Sequence, residues 1–143
     1  MQGLVVCDKV KVMLSPIEGA GAGAFAAVAI PKGELVEAGI VRRLTAVDGN
    51  INPYVFTWSD DVPNTTWAVG SGCSTFYNTA PGDACNVKML RFFADDRFEI
   101  YATRDIAAGE ELLHEYKSKA WRTCFQPLAT PTPAEGAAAS PAA

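Results

Sequence analysis

The sequence predicts a mainly β domain made of short strands, and three observations lead to this prediction. Apolar and polar residues alternate with a period of two in most readable segments, which is the strand pattern. Glycine or proline interrupts the chain about every ten residues, as expected for tight turns between short strands. No long amphipathic helix is evident, and only residues 63–68 are predicted to hold a turn or two of helix.

The predicted strands follow from this alternation. In residues 98–103, Phe98, Ile100 and Ala102 share one face. In residues 9–14, the two lysines point away from the face that carries Val10, Val12 and Leu14. The full set of predicted strands comprises residues 9–14, 24–30, 34–41, 87–93, 98–103 and 111–116.

Two turns have similar sequences. Residues 30–34 (IPKGE) resemble residues 106–110 (IAAGE), and each lies between two predicted strands. We interpret them as similar turns with glycine at a positive-φ position rather than as an internal repeat.

Composition excludes several classes of protein. The 143 residues include 12 basic and 16 acidic side chains, which gives a net charge of −4. This balance argues against direct nucleic-acid binding through phosphate contacts and suits a cationic partner. No apolar run approaches the roughly 20 residues needed to cross a bilayer, and the N-terminus lacks a signal-peptide pattern. We therefore expect a soluble intracellular protein, cytoplasmic or nuclear, with no membrane partner.

The chain divides into a predicted domain at residues 1–125 and a predicted disordered tail at residues 126–143, which is rich in alanine and proline. The four cysteines are widely spaced, with no CxxC pair, and His114 is the single histidine. This pattern predicts no structural zinc site and no other metal site. The thiols are interpreted as small apolar core residues, and their positions are Cys7, Cys73, Cys85 and Cys124.

Several polar or small-residue features have both a structural and a functional interpretation. The glycine loop at residues 19–23 is either a flexible hairpin connection or a site where a ligand approaches the backbone. Asn78 and Asn86 either form turns or orient a polar ligand. His114 and Tyr116 share a strand face, where both residue types are usually core. Trp121 either packs on a helical face or offers a platform for a flat ring.

Taken in order, five short blocks resemble the SET domain of protein-lysine methyltransferases, especially its minimal viral and bacterial forms. The resemblance covers about residues 5–121, and the blocks are residues 15–38, 52–56, 72–78, 85–86 and 100–116. It implies a β-clip-like SET fold of several short sheets, with few short helices and a knot-like C-terminal crossing.

The resemblance also implies an activity. The protein would transfer a methyl group from S-adenosylmethionine, in line, to a deprotonated lysine in a narrow channel, and its substrate would be a basic protein or peptide such as a histone tail. Tyr116 would be the catalytic residue, acting through its dipole and a hydrogen bond rather than as a base. Tyr54 would line the lysine channel, and His114 would influence how many methyl groups are added. The residues implied to bind the methyl donor are Gly21, Ala22, Gly23, Asn78, Thr79 and Trp121.

The sequence departs from the family pattern at three positions. Thr79 and Ala80 stand where the family has histidine and serine, and Cys85 stands where it has proline. Cysteine-rich flanking modules are also absent from the sequence, so a partner or a second copy of the chain would complete the peptide groove. Two alternatives remain: a catalytically inactive SET-like interaction module, and a small β-rich protein that binds an unrelated ligand.

Overall fold

The structure is a computed structural model that describes residues 3–116. Trp121, Cys124 and the predicted tail at residues 126–143 lie outside the described residues. The described part is mainly β, as predicted, and its helices are three single 3₁₀ turns at Ser74–Phe76, Gly82–Ala84 and Phe93–Asp95. The strands are β1 (Val10–Leu14), β2 (Ala22–Ala26), β3 (Leu35–Leu44), β4 (Phe56–Thr57), β5 (Trp67–Gly70), β6 (Asn78–Thr79), β7 (Val87–Phe92), β8 (Arg97–Ala102) and β9 (Leu113–His114).

The strands form three separate sheets. β1 and β2 make an antiparallel hairpin, five strands form a central antiparallel sheet in the order β4-β5-β3-β8-β7, and β6 pairs with β9 in parallel. The longest strand, β3, lies at the centre of the large sheet between β5 and β8. Its pairing with β8 shifts register between Leu35 and Glu37. No described helix is long enough to cross a membrane.

The inward face of β8 confirms the alternation predicted for that segment. Phe98, Ile100 and Ala102 are 0%, 2% and 4% exposed and belong to the main core. They pack beside residues of other strands and loops, because an antiparallel sheet buries one face of each strand against the rest of the domain. The two similar turns are also confirmed, since Gly33 and Gly109 have φ of 87° and 90°. Ile30 and Ile106, which begin the two turns, pair with each other through an antiparallel bridge.

Two of the predictions for local structure are wrong. Residues 63–68 do not form a helical turn, because Trp67–Gly70 is strand β5 and pairs with both β3 and β4. The apolar face of β1 is buried only at its start: Val10 is 8% exposed, whereas Val12 and Leu14 are 40% and 84% exposed. β1 has β2 as its single strand partner among the described residues, and the apolar side chains at its far end remain exposed.

Candidate active site

A crossing of two chain segments builds the site. The parallel pair of β6 and β9 places Asn78 opposite Leu113 and Thr79 opposite His114. Asn86 holds the same crossing from the other side, because its Nδ2 donates to the Glu111 carbonyl at 2.8 Å and its Oδ1 accepts from the Leu113 N–H at 2.8 Å. These hydrogen bonds therefore hold residues 78–86 against the segment that ends at Tyr116.

Tyr116 is fixed at the end of this crossing. It is 5% exposed, and its hydroxyl donates a 2.6 Å hydrogen bond to the carbonyl of Tyr77. Its backbone N–H donates to Thr79 Oγ1 at 3.3 Å. Thr79, which replaces the histidine of the family pattern, thus supplies a side-chain acceptor that holds the Tyr116 backbone.

Tyr77 connects the phenol of Tyr116 to the central sheet. Its own hydroxyl donates to Glu37 Oε1 at 2.8 Å, and both side chains are almost fully buried. Burial raises the pKa of Tyr77 well above its ordinary value, and the neighbouring Glu37 carboxylate adds to that rise. Burial also raises the pKa of Glu37, although the hydrogen bond from Tyr77 opposes this. Tyr77 therefore remains a neutral donor at any physiological pH.

Asn78 presents an unsatisfied oxygen inside the site. Its side chain is 0% exposed, and its Nδ2 donates to Glu111 Oε2 at 2.9 Å and to the Ala22 carbonyl at 3.3 Å. These acceptors fix which end of the amide is nitrogen, because a carboxylate can only accept. Asn78 Oδ1 is buried and has no hydrogen-bond partner among the described residues. A buried acceptor of this kind is costly unless a ligand or an ordered water donates to it.

The glycine loop approaches the same amide. A Cβ added at Gly23 would collide with the Glu111 carboxylate and lie 3.0 Å from Asn78 Nδ2. At Gly21, whose φ is +69°, an added Cβ would meet no atom within 4 Å. The loop is therefore tightly packed on the side of Asn78 and open at Gly21. Glu111 contacts the chain on both sides of this loop. Ser15 Oγ, before the loop, donates to Glu111 Oε1 at 2.9 Å, and Gly23, at its end, packs against the same carboxylate.

His114 packs against both tyrosines. Its ring centroid lies 4.8 Å from that of Tyr116 and 6.2 Å from that of Tyr77, with both pairs edge to face. Burial lowers the pKa of His114 to about 3, and the positive charge of Arg91 contributes a second, smaller part. The imidazole is therefore neutral near pH 7.

A cavity of about 360 Å³ opens beside His114. Arg91 lies in its wall, and burial lowers the pKa of this guanidinium while Asp60 partly opposes the shift. Arg91 Nε has no partner among the residues that the structure describes. The described lining residues are Gly82, Cys85, Val87, Lys88, Met89, Arg91, His114 and Glu115.

The structure brings most of the predicted site residues together, with Tyr54 as the exception. The contacts above connect six of them: Ala22, Gly23, Asn78, Thr79, His114 and Tyr116. Gly21 precedes Ala22 in the loop, and none of these contacts involves it. Tyr54 is 56% exposed in a surface turn, where its N–H donates to Asn52 Oδ1, and it does not line the cavity beside His114. Trp121 lies outside the described residues.

Three site residues escaped the sequence analysis: Glu37, Tyr77 and Glu111. Each is polar or aromatic and sits in a segment that reads as an ordinary strand or turn. The partners Glu37 and Tyr77 are 40 positions apart, and Asn78 and Glu111 are 33 apart. The doubled glutamate at 110–111 gave no indication of which carboxylate turns inward.

The fold and the site define a small, mainly β protein in which a buried tyrosine lies close to a buried amide oxygen that has no hydrogen-bond partner among the described residues. The chain belongs to the SET domain family, because a sequence model of that domain matches residues 21–117. The fold predicted from the resemblance is thereby confirmed.

Individual relatives agree with this assignment. A histone-lysine N-methyltransferase of Yarrowia lipolytica, specific for histone H3 lysine 4, is 41% identical over 46 residues, which is 32% of this chain and 4% of that protein. A candidate histone methyltransferase of Plasmodium falciparum is similar in fold, with a TM-score of 0.60 and 19% identity over 78% of this chain and 95% of that one. A chain of the Chaetomium thermophilum Polycomb Repressive Complex 2 bound to S-adenosylmethionine gives a TM-score of 0.63 and 25% identity. That match covers 79% of this chain and 16% of the Chaetomium chain.

Proposed function

We propose that this chain is an S-adenosylmethionine-dependent protein-lysine N-methyltransferase. The observation that carries the proposal is the hydrogen bond from the Tyr116 hydroxyl to the Tyr77 carbonyl. The residue after Tyr77 is Asn78, whose Oδ1 has no hydrogen-bond partner among the described residues. This contact joins the buried phenol to the glycine loop through two adjacent residues. Membership of the SET domain family and the names of the relatives support the same activity.

The residues present fit the methyl donor. Asn78 Oδ1 is a buried acceptor that needs an N–H or O–H group as its hydrogen-bond donor. S-adenosylmethionine carries such groups, namely an ammonium group, an adenine amino group and ribose hydroxyls. The open side of Gly21 leaves room for such a molecule against the main chain. We assign Gly21, Ala22, Gly23, Asn78 and Thr79 to binding it, and Trp121 to stacking on its adenine. When bound, S-adenosylmethionine supplies a methyl group on a sulfonium, which an amine takes by in-line displacement.

The chain's own residues mainly orient the groups around the reacting amine. Tyr116 is held at both its backbone and its hydroxyl, so its oxygen dipole has a fixed direction beside the reacting amine. His114 packs edge to face on that ring. With a pKa of about 3 its imidazole is a poor proton acceptor. We therefore propose that His114 forms a wall of the acceptor channel and influences how many methyl groups fit on the amine.

The cavity beside His114 favours the reactive form of lysine. The substrate amine must lose its proton before it attacks. Lys88, Arg91 and Glu115 line this cavity, so two cations outnumber one carboxylate there, and a net positive surrounding disfavours a further ammonium. We propose that the substrate lysine enters here and is neutral when it reaches Tyr116. The exposed position of Tyr54 does not support the channel role expected for it.

The proposed substrate is a basic protein, with a histone tail as the leading candidate. The net charge of −4 suits a cationic partner, and the relatives' names concern histones. A histone substrate would require access to chromatin, whereas another basic protein would also suit the cytoplasm. A second copy of the chain or a separate partner that completes the peptide groove also remains a proposal.

The test combines donor binding with turnover. The full chain is titrated with S-adenosylmethionine by calorimetry and then incubated with isotope-labelled donor and a panel of core histones and basic ribosomal proteins. We expect saturable binding and mass increases of one methyl at a time on a lysine. Transfer to a panel protein would support the methyltransferase. Binding without transfer to any panel protein would favour the inactive interaction module, and no binding at millimolar donor would exclude the methyltransferase and favour a degenerate SET-like domain.

A further inference from the structure

Two of the four cysteines converge on the buried carboxylate of Glu37, on the side of Glu37 that the active site does not use. Cys7 follows Val6, which pairs with Ala38 through an isolated bridge. Glu37 lies on β3, and Cys73 immediately precedes the 3₁₀ turn Ser74–Phe76. The two Sγ atoms and a Glu37 oxygen all lie within 4.8 Å of one another. Three chain segments that are distant in sequence thus point a thiol, a thiol and a carboxylate at one spot.

Glu37 lacks a positive partner in this position. Its side chain is 0% exposed, its Oε1 accepts from the Tyr77 hydroxyl, and its Oε2 accepts from the Cys73 N–H at 2.8 Å. Both donors are neutral, and none of the ion pairs found among residues 3–116 involves Glu37. A buried carboxylate without a cation is destabilising, so a positive charge at this spot would relieve a cost that the fold otherwise bears.

We propose that Cys7, Glu37 and Cys73 bind one divalent metal ion of the zinc class. Two thiolates and a carboxylate are a donor set that Zn²⁺ accepts, and a tetrahedral ion at metal–ligand distances of about 2.0–2.3 Å needs ligand atoms about 3.5–3.8 Å apart. The observed cluster needs only a small contraction of two partly exposed thiols to reach that spacing. Each thiol releases its proton to solvent as its sulfur binds, no group is oxidised, and water takes the fourth position.

The surroundings of Glu37 resemble a supporting shell for such an ion. The Tyr77 hydroxyl and the Cys73 N–H hold the two carboxylate oxygens in place, as outer hydrogen bonds do at metal sites. Gly72, with φ of +61°, lets the turn approach, because a Cβ there would collide with Glu37 Oε2 and lie 3.5 Å from Cys7 Sγ. A disulfide between Cys7 and Cys73 would leave the buried carboxylate without a cation, which favours metal binding over oxidation.

Binding would tie the N-terminal segment to the sheet that supports the active site. Val6 is joined to Ala38 by two backbone hydrogen bonds, and an ion at Cys7 would add a third, stronger attachment. The same ion would order Glu37 and, through it, Tyr77, whose carbonyl holds Tyr116. The inference does not depend on methyl transfer, because the ligands lie outside the proposed donor and lysine sites.

The test uses the full chain, reduced and freed of metal with a chelator. It is titrated with Zn²⁺ by calorimetry and with Co²⁺ by absorption spectroscopy. We expect one equivalent to bind, with thiolate-to-cobalt charge transfer in the near ultraviolet and the visible bands of tetrahedral Co²⁺. Cys7→Ser and Cys73→Ser should each weaken Zn²⁺ binding by more than about 10-fold. Glu37→Gln should also weaken it, and the partly exposed cysteines keep the test decisive if that variant fails to fold.

Cys85→Ser is the matched control, since Cys85 is also partly exposed but donates to the Ala80 carbonyl at another place in the fold. It should bind one equivalent of Zn²⁺ as the unchanged protein does. The proposal is overturned if the reduced protein binds no Zn²⁺, or if the loss of Cys85 rather than of Cys7 or Cys73 abolishes binding. It is equally overturned if mass spectrometry finds Cys7 and Cys73 joined as a disulfide and their reduction restores no metal binding.

Discussion

The Tyr116 hydroxyl lies 2.6 Å from the main-chain carbonyl of Tyr77, and this contact is buried. A phenol that donates to a main-chain carbonyl cannot rotate its O–H toward solvent, so its lone pairs keep a fixed direction. The next residue, Asn78, uses its Nδ2 on Glu111 and leaves Oδ1 unsatisfied. The two groups to which we assign catalysis and donor binding are therefore held by one short segment, and a shift of that segment would move both.

Tyr116→Phe should separate catalysis from donor binding. The substitution removes the hydroxyl dipole at the proposed reaction centre, so we expect methyl transfer to fall by about 100-fold or more. The affinity for S-adenosylmethionine, measured by calorimetry, should stay within about twofold. The free energy of unfolding should drop by about 1–3 kcal/mol, because the Tyr77 carbonyl loses its partner.

Tyr101→Phe is the matched control for the loss of a tyrosine hydroxyl. That hydroxyl donates to Glu99 Oε1 on the same strand, and the side chain is partly exposed. Methyl transfer by this variant should equal that of the unchanged protein. Unchanged turnover in Tyr116→Phe would remove the catalytic assignment of Tyr116.

Glu111→Ala should weaken donor binding. The substitution removes the carboxylate that orients the Asn78 amide and accepts from Ser15, so Asn78 keeps only its 3.3 Å bond to the Ala22 carbonyl. Hydrogen bonds to charged groups contribute about 1.5–3 kcal/mol, and we expect the calorimetric affinity for S-adenosylmethionine to fall about tenfold. Glu110→Ala is the control, because that carboxylate pairs with Arg104 at the surface. Equal losses in the two variants would contradict a specific role for Glu111.

Three strands of the large sheet, β3, β7 and β8, could be predicted because their signal is local. Phe98, Ile100 and Ala102 alternate with polar residues, and a two-residue period needs no knowledge of the rest of the chain. The same reasoning failed for Val12 and Leu14, whose alternation is equally clear. Whether an apolar face is covered depends on the layer that packs on it, and the sequence of a strand does not specify that layer.

The candidate site could be proposed from the sequence where the family motifs were explicit, and it could not be proposed where distant polar residues pair. Ala22, Asn78 and Tyr116 were proposed from short motifs, and the structure connects them through the bonds of Asn78 to the Ala22 carbonyl and of Tyr116 to the Tyr77 carbonyl. The bonds of Glu37 to Tyr77 and of Glu111 to Asn78 form only when the chain has folded. The effect of Thr79 was likewise invisible, because its hydroxyl meets Tyr116 from 37 positions away.

Leu112→Ala should test whether the C-terminal segment is integral to the core. Leu112 is 0% exposed and belongs to the main core cluster. Truncating a fully buried leucine usually costs about 2–5 kcal/mol, so the midpoint of denaturant unfolding should fall clearly. Leu14→Ala is the matched control at a leucine that is 84% exposed, and its effect should be within about 0.5 kcal/mol. Similar losses of unfolding free energy in the two variants would contradict the difference in burial described for Leu112 and Leu14.

His114 should make the protein less stable as the pH falls. Burial lowers its pKa to about 3 in the folded state, whereas an unfolded histidine titrates near 6.5. Between these values the unfolded chain binds the extra proton, so the stabilisation is fully present above about pH 6.5 and is lost as the pH falls toward 3. Because His114 is the single histidine, its imidazole signals in NMR spectra are unambiguous, and they should show no titration from pH 7.5 to 4.5.

His114→Gln isolates this contribution, because glutamine carries no charge at any pH. Below pH 6.5 the free energy of unfolding of the unchanged protein should fall more steeply than that of the variant, by at most about 1.4 kcal/mol per pH unit. Glu37, whose raised pKa has the opposite effect, is present in both proteins and cancels in the difference. An imidazole midpoint between pH 6 and 7 in the folded protein, or parallel stability curves for the two proteins, would show that the fold does not disfavour the charged imidazole. His114 would then be free to gain a proton, and it could no longer serve as the neutral wall that we assign to the lysine channel.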